Sequence, residues 1–489
     1  MSFPELALFP LAWIGLVPYL YFLLNMPSWP VVLLGHGILV LAYFGGVLYW
    51  IPDVLVLYGG INWLVAWVLL LLLVLLLGLF LLPFSLMVRW TAGKSPRLAL
   101  LSAPGFWIVT ELCRNYWMVN GFPWALLGYT QYPYSWITQI ADIGGVYLVS
   151  LLVVAGNCAL VGMLFLNSLR PIVLFGILFV ISNVYGAYRT YMWAPVEGTP
   201  INVALVQPNI ELFGNSEHYA SKYFETLPDY YRRAVAEGAG WVIFPEAPNP
   251  YRYEKDFYFR EFWQREIGIH RASLLLNSTV FEEPSSYFNS VLLLDSGGEP
   301  SYRYDKTHLV PFGEYIPFGG WVRRWFEPLV QEVGEFTPGK RIQSGTVMGV
   351  SFATLICFEG IFPELSRAFV DKGAQVLVNI TNDTWYGRSA APRQHLQMAA
   401  FRAVENRKPY LRCANSGYSA VINHLGKIEQ SLGLFEEGLL ITRVAGNNYR
   451  TVYSYTGDLL NISISIVAFV LALVARFGRS RSQKLKRRR

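Results

Sequence analysis

Through the first third of the chain, hydrophobic positions run together instead of alternating with polar ones. No charged residue occurs between Glu5 and Asp53, and none from Val54 to Met87. A membrane span needs roughly 20 consecutive apolar residues, and these runs are longer than a soluble core element uses. The pattern predicts about seven spans, at about 5–25, 30–50, 63–88, 98–118, 144–166, 170–188 and 459–476. Residues 120–143 read as a stretch able to dip into the bilayer without crossing it. From about 195 to 450 the pattern changes, and short apolar runs alternate with amphipathic ones. Strands are predicted at Ile201–Val206, Trp241–Phe244, Leu274–Leu276, Ser290–Leu294, Val350–Ile356 and Val376–Ile380. Helices are predicted at 219–237, 362–372 and 392–407, and a hairpin joins Leu411–Ala414 to Ser419–Asn423 around Gly417. Strand alternating with helix, with some antiparallel pairing, makes this stretch an α/β domain. The expected organisation is a multi-span α-helical membrane bundle (1–190), an α/β domain (195–450), and a final span with a basic tail (459–489).

Composition strengthens the membrane reading. Of 489 residues, 54% are hydrophobic and 15% charged, where soluble domains run near a quarter charged. The first span lacks the basic leader and small-residue cleavage site of a secretory signal. Lys and Arg set the orientation. Arg89, Lys94 and Arg97 crowd one loop, and the tail carries Arg476, Arg479, Arg481, Lys484, Lys486, Arg487, Arg488 and Arg489 with no acid. Both are expected on the cytoplasmic side, which puts 195–450 outside the cytoplasm. A basic tail abutting a span reads as a topology anchor or a contact to anionic lipid, with no nucleic-acid partner implied. Of the four cysteines, Cys113 and Cys158 fall in predicted spans, and no Cys or His spacing suggests a metal site. Cys413 reads as a buried strand thiol, with a Cys357–Cys413 disulfide as the alternative.

Three residues of the α/β stretch stand near the ends of β-like runs. Cys357 follows Val350–Ile356, where a helix is about to begin; backbone N–H groups at a helix N-terminus lower a thiol pKa. Its ordinary alternative is a core cysteine. Glu246 follows Phe244-Pro245, a context in which apolar neighbours could raise a carboxyl pKa and make it a general base; otherwise it is a loop acid or a helix cap. Lys306 follows Tyr302-Arg-Tyr-Asp305 and could stabilise an oxyanion, or be an ordinary surface lysine. Glu314, between Pro311 and Pro317, could orient that lysine or be a loop acid.

The order Glu, Lys, Cys across one α/β domain resembles the nitrilase superfamily, which implies a Glu-Lys-Cys triad in an αββα sandwich. The helix Gln394–Asn406 is similar to that superfamily's helix near its end, and Glu405 reads as structural there. Nearly the whole chain resembles the bacterial apolipoprotein N-acyltransferase family. The segments that carry the likeness are Gly121-Phe-Pro-Trp124 with Gly128-Tyr129, Phe244-Pro-Glu246, Asp305-Lys-Thr-His-Leu-Val-Pro-Phe-Gly-Glu314, Ile356-Cys-Phe-Glu359 and Asn382-Asp-Thr-Trp-Tyr-Gly387. The resemblance implies Glu246 as general base, Lys306 as oxyanion stabiliser and Cys357 as nucleophile. It also implies supporting roles for Glu314 and Glu359, and Trp385 on a loop at the site mouth. Without the resemblance, Glu359 reads as a helix N-terminal acid and Trp385 as loop packing. Trp124, with Trp117, Phe122 and Tyr129, could line a substrate entry between helices or form an interfacial belt. The chain departs from the family pattern at Phe358, where a Tyr is common. It has no Trp in Glu211–Ser221, and about one span fewer.

What the resemblance implies for function is an acyl chain moved from a phospholipid, by way of a Cys357 thioester, to the α-amine of a diacylglyceryl-modified cysteine at a lipoprotein N-terminus. It implies no metal or other cofactor, and a multi-pass protein of the bacterial inner membrane with its catalytic domain on the periplasmic side. A rival enzyme reading is a membrane-tethered amidase. A non-enzymatic one is a polytopic transporter or lipid-binding scaffold, although transporters usually carry polar groups inside their spans.

Overall fold

The apolar first third folds as helices, in a computed structural model that describes residues 3, 8–25, 28–196, 198–211, 216–246, 251–282, 286–317 and 336–477. The chain divides into two units. One comprises Met1–Pro52, Trp63–Tyr191 and Thr456–Arg489, and the other Asp53–Asn62 with Met192–Tyr455. The basic tail beyond Phe477 and part of the 211–221 stretch lie outside the described residues.

Among the described residues of the first unit, five helices are long and apolar enough to cross a membrane: Trp29–Leu48, Trp63–Ala92, Ala141–Phe165, Arg170–Tyr191 and Leu459–Phe477. Two of the expected spans differ. The first is broken into a 3₁₀ turn, Phe9–Trp13, and a short helix, Val17–Asn25. The fourth is the helix Pro96–Trp117, which carries Arg97, Glu111 and Arg114 and packs inside the bundle. Glu111 is buried there, accepting from Trp107 Nε1 at 2.9 Å and Leu127 N at 2.8 Å, while Arg114 donates to Ala125 O. Internal partners make these polar groups tolerable away from water. Gly105 lets this helix approach Leu459–Phe477 closely, because a Cβ there would stand 2.5 Å from that of Ala468. Residues 118–140 contain only short turns, tied to the bundle by bonds such as Gly128 N to Ser150 Oγ at 2.7 Å.

Among the described residues, the second unit has twelve strands: β1 (Ile201–Gln207), β2 (Trp241–Ile243), β3 (Ser273–Glu282), β4 (Ser286–Leu294), β5 (Pro300–Asp305), β6 (Gly345–Val347), β7 (Val350–Ile356), β8 (Val376–Thr381), β9 (Tyr410–Ala414), β10 (Ala420–Ile422), β11 (Ile428–Ser431) and β12 (Gly438–Val444). They form two six-stranded sheets, ordered β12-β1-β2-β3-β4-β5 and β11-β10-β9-β8-β7-β6. The central pairs β1–β2–β3 and β7–β8–β9 are parallel and the flanking pairs antiparallel. Parallel strands are covered on both faces, which is why β8 and β9 are buried throughout. The sheets face each other through Trp241 against Phe352, at 4.8 Å between rings, and through the Cys413 thiol, which donates to Val206 O and Ile243 O. Helices Ser216–Ala236 and Phe257–His270 cover the first sheet. Helices Pro363–Asp371 and Ala391–Asn406 cover the second. The result is an αββα sandwich. All four cysteines are free, so the alternative Cys357–Cys413 disulfide is not formed.

The sequence pattern missed the helix Phe257–His270 and strands β6, β11 and β12. It also cut β3 short at Leu276, because Asn277-Ser-Thr279 looks like a loop. Within the hairpin the Asn277 amide is partnered: its Nδ2 donates to Asn289 Oδ1 at 2.8 Å and to Ser290 O at 2.9 Å.

Candidate active site

Three strand ends converge within the second unit. Phe244 still donates to Leu275 O at 2.9 Å as a continuation of β2, and Pro245 then turns the chain so that Glu246 leaves the sheet. Glu246 Oε1 accepts from Asn289 Nδ2 at 3.0 Å, and Oε2 from Asn382 N at 3.2 Å. Lys306 follows β5, with its N–H held by Asn289 O at 2.9 Å. Its buried ammonium lies 2.8 Å from Glu314 Oε1 and 3.6 Å from Glu246 Oε1. Glu314 is fixed in turn by Asn289 Nδ2 at 3.1 Å and Val310 N at 2.8 Å. Cys357 ends β7 and opens a 3₁₀ turn, Cys357–Ile361, with φ +51°. A non-glycine residue in the left-handed region is strained unless its surroundings hold it. Its thiol lies beside Glu246 and Thr381 and in the field of Lys306. Glu246, Lys306, Glu314 and Cys357 therefore form one cluster.

The electrostatics correct one expectation. The turn N–H groups were expected to lower the Cys357 thiol pKa. Instead, burial and the nearby Glu246 carboxylate push it well up, and Lys306 only partly offsets them. A five-residue 3₁₀ turn has few aligned peptide dipoles to set against burial. Burial also raises Glu246; Lys306 opposes this and Glu314 adds to it. Burial works against the charge on Lys306, but Glu314 and Glu246 outweigh it and its pKa is raised. Burial thus favours the neutral thiol, Glu246 gains basicity beside it, and the two acids favour the charged form of Lys306.

Glu359 is fully buried. Its Oε1 accepts from Tyr304 Oη at 2.8 Å, Thr307 N at 2.7 Å, Thr307 Oγ1 at 2.9 Å and His308 N at 3.1 Å, while Oε2 accepts from Ile356 N at 2.8 Å. It ties the residues beside Lys306 to the residue before Cys357, so its action on the cluster runs through the backbone. Trp385 is half-buried on the turn Asp383–Tyr386, 5.3 Å from the ring of Tyr58, whose hydroxyl donates to Thr384 O at 2.6 Å. Trp124 lies in the first unit, 2% exposed, with its ring 5.5 Å from that of Trp50 and 6.4 Å from that of Phe122. Tyr129 is buried beside it in sequence, whereas Trp117 is exposed.

Sequence reasoning missed Asn289, which donates to both carboxylates, and Thr381. It also missed a buried polar group behind Cys357 made of Asn379, Asp383, His395 and Arg412. The available signal was polarity inside apolar strands: Asn289 within Ser286–Leu294, Asn379 within Val376–Thr381 and Arg412 within Tyr410–Ala414. Among the described residues, no group of three or more His, Cys, Asp or Glu is placed to hold a metal ion.

Residues 202–453 match the carbon-nitrogen hydrolase family, and residues 1–159 match the apolipoprotein N-acyltransferase N-terminal domain. The chain is 37% identical to an apolipoprotein N-acyltransferase of Geobacter metallireducens, over 97% of this chain and 92% of that one. It is 33% identical to one of Haemophilus ducreyi over 91% and 88%, and 30% identical to one of Vibrio cholerae over 88% and 89%.

Proposed function

The chain belongs to the apolipoprotein N-acyltransferase family and is an acyltransferase; on that premise we propose that it transfers an acyl chain from a phospholipid, through a thioester on Cys357, to the N-terminal amine of a diacylglyceryl-modified lipoprotein cysteine. Glu246 takes the thiol proton of Cys357. The thiolate attacks the ester carbonyl, and Lys306, with backbone N–H at the start of the Cys357 turn, stabilises the oxyanion. The ester C–O bond breaks, the leaving oxygen takes the proton from Glu246, and lysophospholipid departs. In the second half Glu246 accepts a proton from the attacking amine, the C–S bond breaks, and an amide forms as the thiol is regenerated. A covalent intermediate lets two bulky lipids use one site in turn.

The observation that carries this reading is the convergence of three strand ends, which sets Glu246 beside Cys357 and 3.6 Å from Lys306 Nζ. Passing the proton from sulfur to Glu246 moves a negative charge without changing the net charge of the cluster, so Lys306 and Glu314 need not rearrange. Burial supports the same reading, because a thioester survives only where water is kept out. Both lipids have tails that cost roughly 0.8 kcal/mol per CH₂ to expose. A site at the bilayer surface, with Trp385 against the lipid, avoids that cost. The basic loop holding Arg89, Lys94 and Arg97 supports a cytoplasmic end for that part of the chain, hence a catalytic domain on the periplasmic side of the inner membrane.

Intact-mass spectrometry after incubation with phospholipid alone tests the proposal. A mass gain of one acyl chain, absent from Cys357→Ala, is expected. Hydrolysis of soluble amides with no acyl adduct would replace acyl transfer by an amidase reaction.

A further inference from the structure

A groove in the first unit joins apolar walls to a cationic mouth. It lies among the helices Pro96–Trp117, Ala141–Phe165 and Arg170–Tyr191 and has a volume of about 480 Å³, within the ~300–1,000 Å³ of sites that hold small molecules. Small side chains make the space. Ala155 and Ala159 stand one turn apart on the middle helix and put only methyl groups into the groove. Leu100 and Pro104 wall it from one neighbouring helix, Leu174 and Leu178 from the other. The three helices meet at Gly162, where a Cβ would stand 2.9 Å from Pro171 Cγ and 3.8 Å from Leu100 Cδ1. That meeting brings the first turns of two helices to the same end, and each supplies an arginine to the groove, Arg97 and Arg170.

Both arginines are exposed. No acidic residue occurs between Arg89 and Glu111, or between Asp142 and Glu197. Two cations with no acid beside them in the chain, at the head of an apolar trough, suit a ligand with an anionic head and a hydrocarbon body. A guanidinium presents a planar fork that matches phosphate oxygens. A zwitterionic headgroup also carries an ammonium, for which these two loops offer no carboxylate. From Arg170 to Leu178 the helix rises about 12 Å, at about 1.5 Å per residue, close to one leaflet of a hydrocarbon core roughly 30 Å thick. The basic bias of the loop that ends at Arg97 gives this mouth a cytoplasmic face.

We propose that the groove is a binding site for an anionic glycerophospholipid of the cytoplasmic leaflet, with its phosphate on Arg97 and Arg170 and one acyl chain along Ala155 and Ala159. Basic pockets between spans on the cytoplasmic side recognise acidic headgroups in this way. The lipid is held there and not cleaved, so the site stands or falls independently of acyl transfer at Cys357.

Native mass spectrometry of the full chain tests the site, in the Cys357→Ala background so that no acyl chain is transferred. The protein is titrated in detergent with phosphatidylglycerol, or with phosphatidylcholine of the same chains. Phosphatidylglycerol should be retained more strongly than phosphatidylcholine. Arg97→Gln and Arg170→Gln should each weaken its retention about fivefold and leave phosphatidylcholine unaffected. Lys94→Gln removes a cation of the same loop that is not among the residues lining the groove, and should change nothing. Ala155→Phe fills the trough and should weaken retention as much as the two arginine variants combined. Equal retention of the two lipids overturns the proposal, as do arginine variants that behave like the parent. A loss in Lys94→Gln as large as in Arg97→Gln also overturns it, because surface charge alone would then hold the lipid. If Ala155→Phe does not fold, competition by glycerol phosphate, a head without chains, decides. Failure to displace the lipid supports the groove, and displacement at equal concentration overturns it.

Discussion

Glu314 holds Lys306 more tightly than Glu246 does, at 2.8 Å against 3.6 Å. Asn289 Nδ2 reaches both acids, at 3.0 Å to Glu246 and 3.1 Å to Glu314. The two carboxylates therefore differ in what they are free to do. Glu314 is spent on the ammonium and on Val310 N, which keeps Lys306 in place. Glu246, at the longer distance and beside the thiol, can take a proton without releasing the cation.

Replacing Glu314 by Gln should weaken Glu246 as a base. Glu314 raises the Glu246 pKa and Lys306 lowers it. Removing the first and leaving the second unshared moves Glu246 down. The acylation rate, which needs Glu246 ionised, should then have an acid limb at lower pH than in the parent, and a plateau reduced by at least about tenfold. A pH–rate profile of single-turnover acylation reads both. An acid limb that stays put would mean that Glu246 is not the titrating base.

Lys306→Met keeps the length of the side chain and removes its charge. An oxyanion then forms with backbone donors alone, and acylation should fall by about 10²–10³-fold. Glu246 and Glu314 also lose their shared counter-ion, so the acid limb should move to higher pH, opposite to the Glu314→Gln shift. The two variants measured side by side give opposite signs from one cluster, and limbs moving the same way would contradict the geometry.

Two members of this cluster were legible in the sequence because each follows a short apolar run: Glu246 after Trp241–Phe244, Cys357 after Val350–Ile356. Strand ends are easy to find by hydrophobicity, and the αββα sandwich then brings such ends together. Where polar side chains are buried with partners, the pattern misleads. Asn277-Ser-Thr279 looks like the end of a strand, yet β3 runs on to Glu282 because Asn289 and Ser290 accept those hydrogen bonds. Strand β12 was missed because its pattern, half-buried at Gly438, Leu439 and Ile441, is that of an edge, and its place beside β1 depends on a partner more than two hundred residues away. The buried polar group behind Cys357 was invisible for the same reason, since Asn379, His395 and Arg412 sit on three separate elements.

Alkylation of Cys357 should be slow at neutral pH and should quicken as pH rises past the range of an ordinary thiol. Burial and Glu246 disfavour the thiolate and Lys306 favours it. Lys306→Met removes the favourable part, so its Cys357 should react more slowly still at every pH, whereas Glu246→Gln, which removes a nearby negative charge, should react faster than the parent. Mass-spectrometric counting of iodoacetamide adducts against pH, with Cys357→Ala as the blank, measures this. A fast reaction at neutral pH would show a thiolate already formed, and no base would then be needed for the first step.

Glu359→Gln tests whether a residue that never meets the reacting atoms still governs them. The carboxylate accepts four hydrogen bonds at Oε1 and one, from Ile356 N, at Oε2. An amide can satisfy only one of those sets. With its oxygen at the crowded position, its NH₂ faces Ile356 N, leaving a buried donor unpaired at a cost of about 1–3 kcal/mol. The melting temperature should therefore fall, and acylation should fall with it, because Ile356 immediately precedes Cys357 and Thr307 immediately follows Lys306. Thermal unfolding and single-turnover acylation on the same preparation separate the two effects. A protein that melts early yet acylates at the parent rate would make Glu359 a stabilising residue only, and break the link drawn here between its five hydrogen bonds and the placing of the nucleophile.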